Sequence, residues 1–142
     1  MKIISPSSIE EWQLYYQLRF TVLREPWNQA PGSEVLSDEK EAIHAMVISD
    51  GIALGVARMH ESSPYQGQVR CVAVASNQQG KGIGKILMAH LEEIAKEKKW
   101  KEIILEAREN AVPFYQSLGY QISKESYLLF GEIQHYTMHK KW

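Results

Sequence analysis

The period of the apolar residues changes several times along the chain, and each change marks an element. Lys2 to Ile4 reads as a short strand. In "SPSSIEEW" serines stand ahead of Glu10 and Glu11, the pattern of a helix N-terminus. Ile9, Trp12, Tyr16, Phe20 and Leu23 then recur at helical spacing, so a helix is expected to end before Pro26. Residues 26–38, "PWNQAPGSEVLSD", contain two prolines and a glycine and read as a loop with a helical turn.

From residue 42 the pattern is extended. "AIHAMVIS", Asp50-Gly51 and "IALGVARMHE" predict a hairpin, because both central positions of a tight primed turn favour left-handed backbone angles. A second turn at "SSPYQGQ" leads into "VRCVAVAS", apolar on both faces and therefore expected as a central strand. Ile83, Leu87, Leu91 and Ile94 form one stripe of a helix ending near Lys99, and "KEIILEA" reads as a buried strand. In "NAVPFYQSLGY" Asn110 is the expected N-cap, Pro113 fits a first turn and Gly119 stops a short helix. "QISKESYLLF" and "IQHYTMHKK" complete the order as a last pair of strands. These elements predict an α+β fold, with helices on both faces of one mixed sheet.

Length and charge narrow what such a fold does. A chain of 142 residues suits one domain, residues 1–142, with a real core. Sixteen basic residues against seventeen acidic ones, without a block of like charge, call for no nucleic-acid or membrane partner. Lys96, Lys98, Lys99 and Lys101 fall where a helix ends and complement its dipole. No stretch reaches the length of a membrane span and the N-terminus lacks a signal-peptide core, so a cytoplasmic location is expected. The single cysteine, Cys71, permits no intramolecular disulfide and reads as strand packing. His44 reads as a satisfied sheet histidine, and no histidine pair has metal spacing, so no metal site is expected.

The chemistry concentrates in "SNQQGKGIGKILMAHLEEIAKEK", residues 76–98. A helix's first turn leaves backbone amides without partners and carries partial positive charge, so it attracts anions. Gly80, Gly82 and Gly84 remove side chains that would block a phosphate, and Lys81 and Lys85 add charge. A dinucleotide fingerprint would need glycine at 85 or 87, where Lys85 and Leu87 stand. A nucleotide P-loop fails as well, since Gly84-Lys85 is followed by Ile86.

Gln79-x-x-Gly82-x-Gly84, preceded by an apolar strand, resembles the acyl-CoA loop of the GNAT N-acetyltransferase superfamily. "NAVPFYQSLGY" resembles the second signature of that family, about thirty residues later, and the likeness covers most of the chain from residue 42 onward. The resemblance implies a mainly antiparallel sheet splayed in the middle, with acetyl-CoA as cofactor and its pantetheine lying where the strands part. It implies that the backbone of Val72, Ala73 and Val74 pairs with the pantetheine. The pyrophosphate would then sit on Gln79, Gly80, Lys81, Gly82, Ile83 and Gly84, with Lys85 beside it. Asn110 matches an asparagine that touches the pantetheine arm, and Tyr115 matches a tyrosine that protonates the departing thiolate.

On this reading a primary amine attacks the thioester directly in a ternary complex. The Val74 amide is placed to donate to the developing oxyanion, and Tyr115, with an ordinary pKa of about 10, stays protonated. An amine with a pKa of about 10.4 also needs help in losing a proton; Glu61, His60, His135 and Glu25 all remain open for that role. The acceptor is a small-molecule or peptide amine, Trp27 is a candidate for lining its pocket, and Arg19 and Arg24 either meet an acceptor carboxylate or lie on the helix surface. Homodimerisation is common among relatives. The rival from another class is a non-catalytic acyl-CoA-binding or regulatory module.

Overall fold

The computed structural model describes residues 1–142. Seven strands form one sheet in the order β1-β2-β3-β4-β5-β7-β6. They are β1 (Lys2–Ile4), β2 (Ile43–Ser49), β3 (Ile52–Ser63), β4 (Gln66–Val74), β5 (Glu102–Arg108), β6 (Gln121–Leu129) and β7 (Ile133–Lys141). The helices are α1 (Ile9–Leu23), α2 (Ile83–Glu97) and α3 (Val112–Ser117). The mixed, mainly antiparallel α+β architecture is the one the sequence predicts, with β4 and β5 as the parallel pair. Backbone contacts gather the chain into two compact units, Met1–His60 with Cys71–Leu91 and Glu61–Arg70 with Glu92–Trp142.

In the first unit α1 opens with a complete capping box. Ser8 Oγ accepts from the Glu11 amide at 3.1 Å, and the Glu11 carboxylate accepts from the Ser8 amide at 3.3 Å. The buried face of α1 is Tyr15, Arg19 and Leu23. The apolar stripe predicts a neighbouring face, and Ile9 from that stripe is 75% exposed. Leu23 of the stripe is buried and Trp12 and Tyr16 pack on the core, while Arg19, counted as polar by any periodicity, joins the buried face with an ion-pair partner.

The β2–β3 hairpin turns at Asp50 and Gly51, both left-handed with φ of 51° and 74°, as the Asp-Gly pair requires. The next turn is shorter than the sequence suggests, since β3 runs to Ser63 and β4 resumes at Gln66. Gln66 stabilises the extension, accepting from Ser62 Oγ at 2.7 Å and donating to Glu102 at 2.6 Å.

In the second unit, Gln66–Val69 of β4 pair in parallel with Glu102–Leu105 of β5. β5 pairs along its whole length with β7, from Glu102↔Lys141 to Arg108↔His135. Ile103, Leu105, Ala107, Tyr120 and Met138 are buried there. The expected N-cap of α3 is corrected: Asn110 lies inside a short 3-10 turn, Glu109–Ala111, and Ala111 stands at the cap without a side-chain bond. The 3-10 turn leads directly into Val112, so the backbone is already turning at 110. Gly119, with φ of 97°, follows α3 as the expected stop.

No helix is long and apolar enough to cross a membrane.

Candidate functional site

β4 is where the local backbone departs from regular extension. Cys71 has φ of 57°, a left-handed conformation that costs a residue with a β-carbon roughly 1–2 kcal/mol. A single such residue inside a strand has the character of a bulge, which bends the strand and re-aims its remaining residues. Cys71 is half-buried and packs on the core of Tyr15, Met46, Val56 and Ala73, in keeping with a packing role. Val72, Ala73 and Val74 come directly after it, and the strand ends there.

The chain then turns toward α2. The Ala75 amide donates to the Leu54 carbonyl at 2.9 Å, and the Gln78 amide to the Ala75 carbonyl at 2.8 Å. Gly80 and Gly82 adopt φ of 78° and 85°, and nothing lies within 4 Å of where a β-carbon would stand on either. Both glycines are thus required by conformation and leave open space beside the backbone. The Ile86 amide donates to the Gly82 carbonyl at 3.0 Å, which makes Gly82 the first residue of the helical ladder. The amides of Ile83, Gly84 and Lys85 then have no intrahelical acceptor and lie at the positive end of a 15-residue helix. Lys81 and Lys85 are exposed at the same turn. Free amides, open glycine surface and two ammonium groups fit the pyrophosphate of a coenzyme A.

α2 is held against β3 through Gly55. A β-carbon there would lie 2.5 Å from Ile83 Cγ2 and 3.0 Å from Leu87 Cδ1. Gly55 therefore sets how closely the first turn of α2 approaches the strand, a packing role that a lone glycine in an apolar run does not announce.

The loop after α1 is anchored by a buried charge cluster. Arg19 is fully buried, and its guanidinium donates to the Glu34 carbonyl at 2.8 Å, to Tyr15 Oη at 2.9 Å and to the Glu39 carboxylate. Arg58, also fully buried, donates to both Asp38 oxygens at 2.8 Å and to Glu39 at 2.8 Å. Glu39 thus bridges two guanidiniums. Burial alone would raise its pKa, but the charge of Arg19 and the bonds it accepts hold it below the usual value. The Arg58 hydrogen bonds hold Asp38 far below the carboxylate range. Arg19 fits neither sequence expectation, being committed inside the protein instead of meeting an acceptor or lying on the surface. Arg24 donates to the Ser33 and Leu23 carbonyls.

His44 is the satisfied sheet histidine expected of it. Its Nε2 donates to the Glu39 carbonyl at 2.7 Å and its Nδ1 lies 2.8 Å from Tyr15 Oη, while burial lowers its pKa. Tyr16, at the same cluster, is pushed up to about 12 by burial and by the nearby Glu39 charge.

The remaining predicted residues belong to the second unit. Tyr115, on α3, is 7% exposed and stacks edge-on against Phe114 and Tyr120, with centroids 5.0 and 5.8 Å away. Burial raises its pKa above the ordinary tyrosine value, and Arg108 opposes that only in part. The hydroxyl is therefore a held proton at neutral pH. Asn110 is exposed. Tyr120, which ends the second signature, donates to Glu92 at 2.9 Å, and Lys140 holds the other oxygen of that carboxylate at 3.0 Å. His135 on β7 is 4% exposed.

No group of three or more histidines, cysteines or carboxylates has the geometry of a metal site. The family described as "Acetyltransferase (GNAT) domain" matches residues 17–142. The chain is 28% identical over 140 residues to YjcF of Bacillus subtilis, an uncharacterized N-acetyltransferase, with 99% of both chains covered. Its fold superposes on Escherichia coli ElaA with a TM-score of 0.84 and 22% identity, over 99% of this chain and 97% of that one. An aminoglycoside 6'-N-acetyltransferase solved with coenzyme A superposes with a TM-score of 0.85 at 16% identity, over 99% and 97% of the two chains.

Proposed function

This chain belongs to the GNAT acetyltransferase family and is an acetyl-CoA-dependent N-acetyltransferase, and we propose that it acetylates a primary amine by direct attack within a ternary complex. The observation that carries the assignment of residues is the turn at Gly80 and Gly82, which opens onto the unpaired amides of α2. On this reading the whole of residues 1–142 is one acetyltransferase domain.

Acetyl-CoA supplies the activated thioester. The amides from Gln79 to Gly84, with Lys85, hold its pyrophosphate by hydrogen bonds and the helix dipole. The backbone of Val72, Ala73 and Val74, directly after the left-handed Cys71, pairs with the pantetheine, and Asn110 contacts the same arm. The Val74 amide donates to the oxygen that gains charge as the amine adds. Tyr115, whose hydroxyl burial keeps protonated at neutral pH, gives its proton to the leaving sulfur.

The acceptor is a small-molecule or peptide amine. The single free cysteine and the lack of an apolar helix long enough for a membrane accord with a cytoplasmic enzyme. A thiol-release assay with acetyl-CoA across a broad amine panel tests the reading. Amine-dependent thiol release with formation of the N-acetyl product is expected. Tight coenzyme A binding with no release from any amine would reduce the protein to a binding module.

A further inference from the structure

We propose that His135 is the base of the reaction, taking the proton from the acceptor nitrogen at its Nε2 atom; this rests on the acetyl-transfer activity proposed above. Four residues are candidates by sequence, and their geometry separates them. His60 spends its Nδ1 lone pair on the Arg58 guanidinium at 3.0 Å, so a proton arriving there would break that bond beside a fixed positive charge. Glu25 and Glu61 are exposed to solvent. His135 is buried and held in one state.

The tautomer is set by its partner. His135 Nδ1 lies 3.0 Å from the Ile133 carbonyl oxygen, and a carbonyl only accepts, so Nδ1 carries the hydrogen. The neutral ring then has its lone pair on Nε2. Tyr127 of β6 stacks on the imidazole with centroids 4.4 Å apart and planes 12° from parallel, which fixes the ring's orientation. On β5, Arg108 is its direct cross-strand partner, and Glu106, two residues earlier, accepts from Thr137 Oγ1 at 2.8 and 3.1 Å. The 3-10 turn that packs on β7 carries Glu109.

Burial and the Arg108 charge keep the ring unprotonated, partly opposed by the Ile133 carbonyl and Glu106. The same Arg108 charge also lowers the pKa of Tyr115 against the effect of burial.

The proton balance closes. The amine lone pair forms the N–C bond, and the C–S bond breaks with its electron pair going to sulfur. The nitrogen, made acidic by bond formation, gives a proton to His135 Nε2, while Tyr115 gives one to sulfur. The imidazolium proton returns to the tyrosinate through water, leaving amide, thiol and the starting enzyme.

The test is His135→Gln, which keeps an amide donor for Ile133 but does not titrate. Thiol release is measured with primary amines of pKa from about 5 to about 10. For amines of high pKa the variant is expected to lose about a hundredfold in kcat/KM at pH 7. The loss should shrink as amine pKa falls, because a weakly basic nitrogen sheds its proton to water unaided. For an amine of high pKa, log kcat/KM of the wild type should steepen from a slope of about one to about two below a pKa at or under the usual histidine value, and the variant should not steepen. Thermal stabilisation by coenzyme A reports that the variant is folded; if it is not, the wild-type profile decides, and a profile without the steeper limb overturns the assignment. An equal loss across all amines, or none, also overturns it. Wild-type silence with every amine would remove the activity as well, whereas an active wild type with an insensitive variant removes only the base.

Discussion

Gly55 lies so close to Ile83 that a β-carbon on the glycine would stand 2.5 Å from Cγ2 of the isoleucine. The atom it would strike sits on the branched carbon of a buried side chain and has no free end to swing away. Gly55→Ala is therefore expected to push the first turn of α2 outward and cost about 1–3 kcal/mol of stability. Because that turn carries the amides assigned to the pyrophosphate, coenzyme A affinity should fall together with the melting temperature. Calorimetric binding and thermal denaturation of the variant check both, and unchanged affinity would detach the helix position from cofactor binding.

Gly82→Glu tests the loop itself. At φ of 85° any side chain is strained by about 1 kcal/mol, and a carboxylate would place negative charge where a diphosphate is to bind. Open space around the position predicts a folded variant. Addition of coenzyme A should raise the wild-type melting temperature and leave that of the variant where it was.

Tyr115→Phe separates chemistry from binding. Turnover should drop on the order of a hundredfold, the usual worth of a general acid, while coenzyme A affinity stays as in the wild type. Steady-state kinetics with a parallel binding measurement distinguish this from equal loss of both, which would make Tyr115 a packing residue.

Glu39→Gln should unfold the protein more readily than any of these changes. It removes a carboxylate shared by two fully buried guanidiniums, each of which already has a buried Nε without a partner. Leaving Arg19 without its counter-charge is worth about 3 kcal/mol or more, a fall of roughly 10 °C in melting temperature.

The same cluster sets the acid limit of stability. Asp38 and Glu39 both have folded-state pKa values below those of the unfolded chain. Their stabilisation is thus complete above the unfolded values of about 3.9 and 4.3, and is lost as pH falls through the lower folded values. Melting temperature should decline below about pH 4 in the wild type, with a shallower decline in Asp38→Asn. Identical slopes for the two proteins would remove Asp38 from the acid limb.

Features governed by neighbours in the chain were legible without coordinates. Asp50-Gly51 had to form a primed turn because both positions need left-handed angles, and Gly80, Gly82 and Gly84 marked an open helix entrance because they lack side chains. The order of strands and helices came from apolar period, and the two signatures placed the family before any contact was known. Asn110 shows the limit: its residue type favours a cap, but the preceding 3-10 turn moved that position to Ala111.

The properties that needed the tertiary structure are those set by residues far apart in sequence. Arg19 looked like a surface or ligand charge, and only the meeting of α1, the loop after it and β3 puts it inside with Glu39, on the buried face of α1. The left-handed Cys71 sits in a run that reads as uninterrupted strand, and the orientation of the His135 ring depends on the Tyr127 ring that β6 lays against it. Local sequence dictates backbone angles and periodicity because those energies act within a few residues. Burial, pairing and protonation are decided by packing, since desolvation and Coulomb energies depend on separation in space.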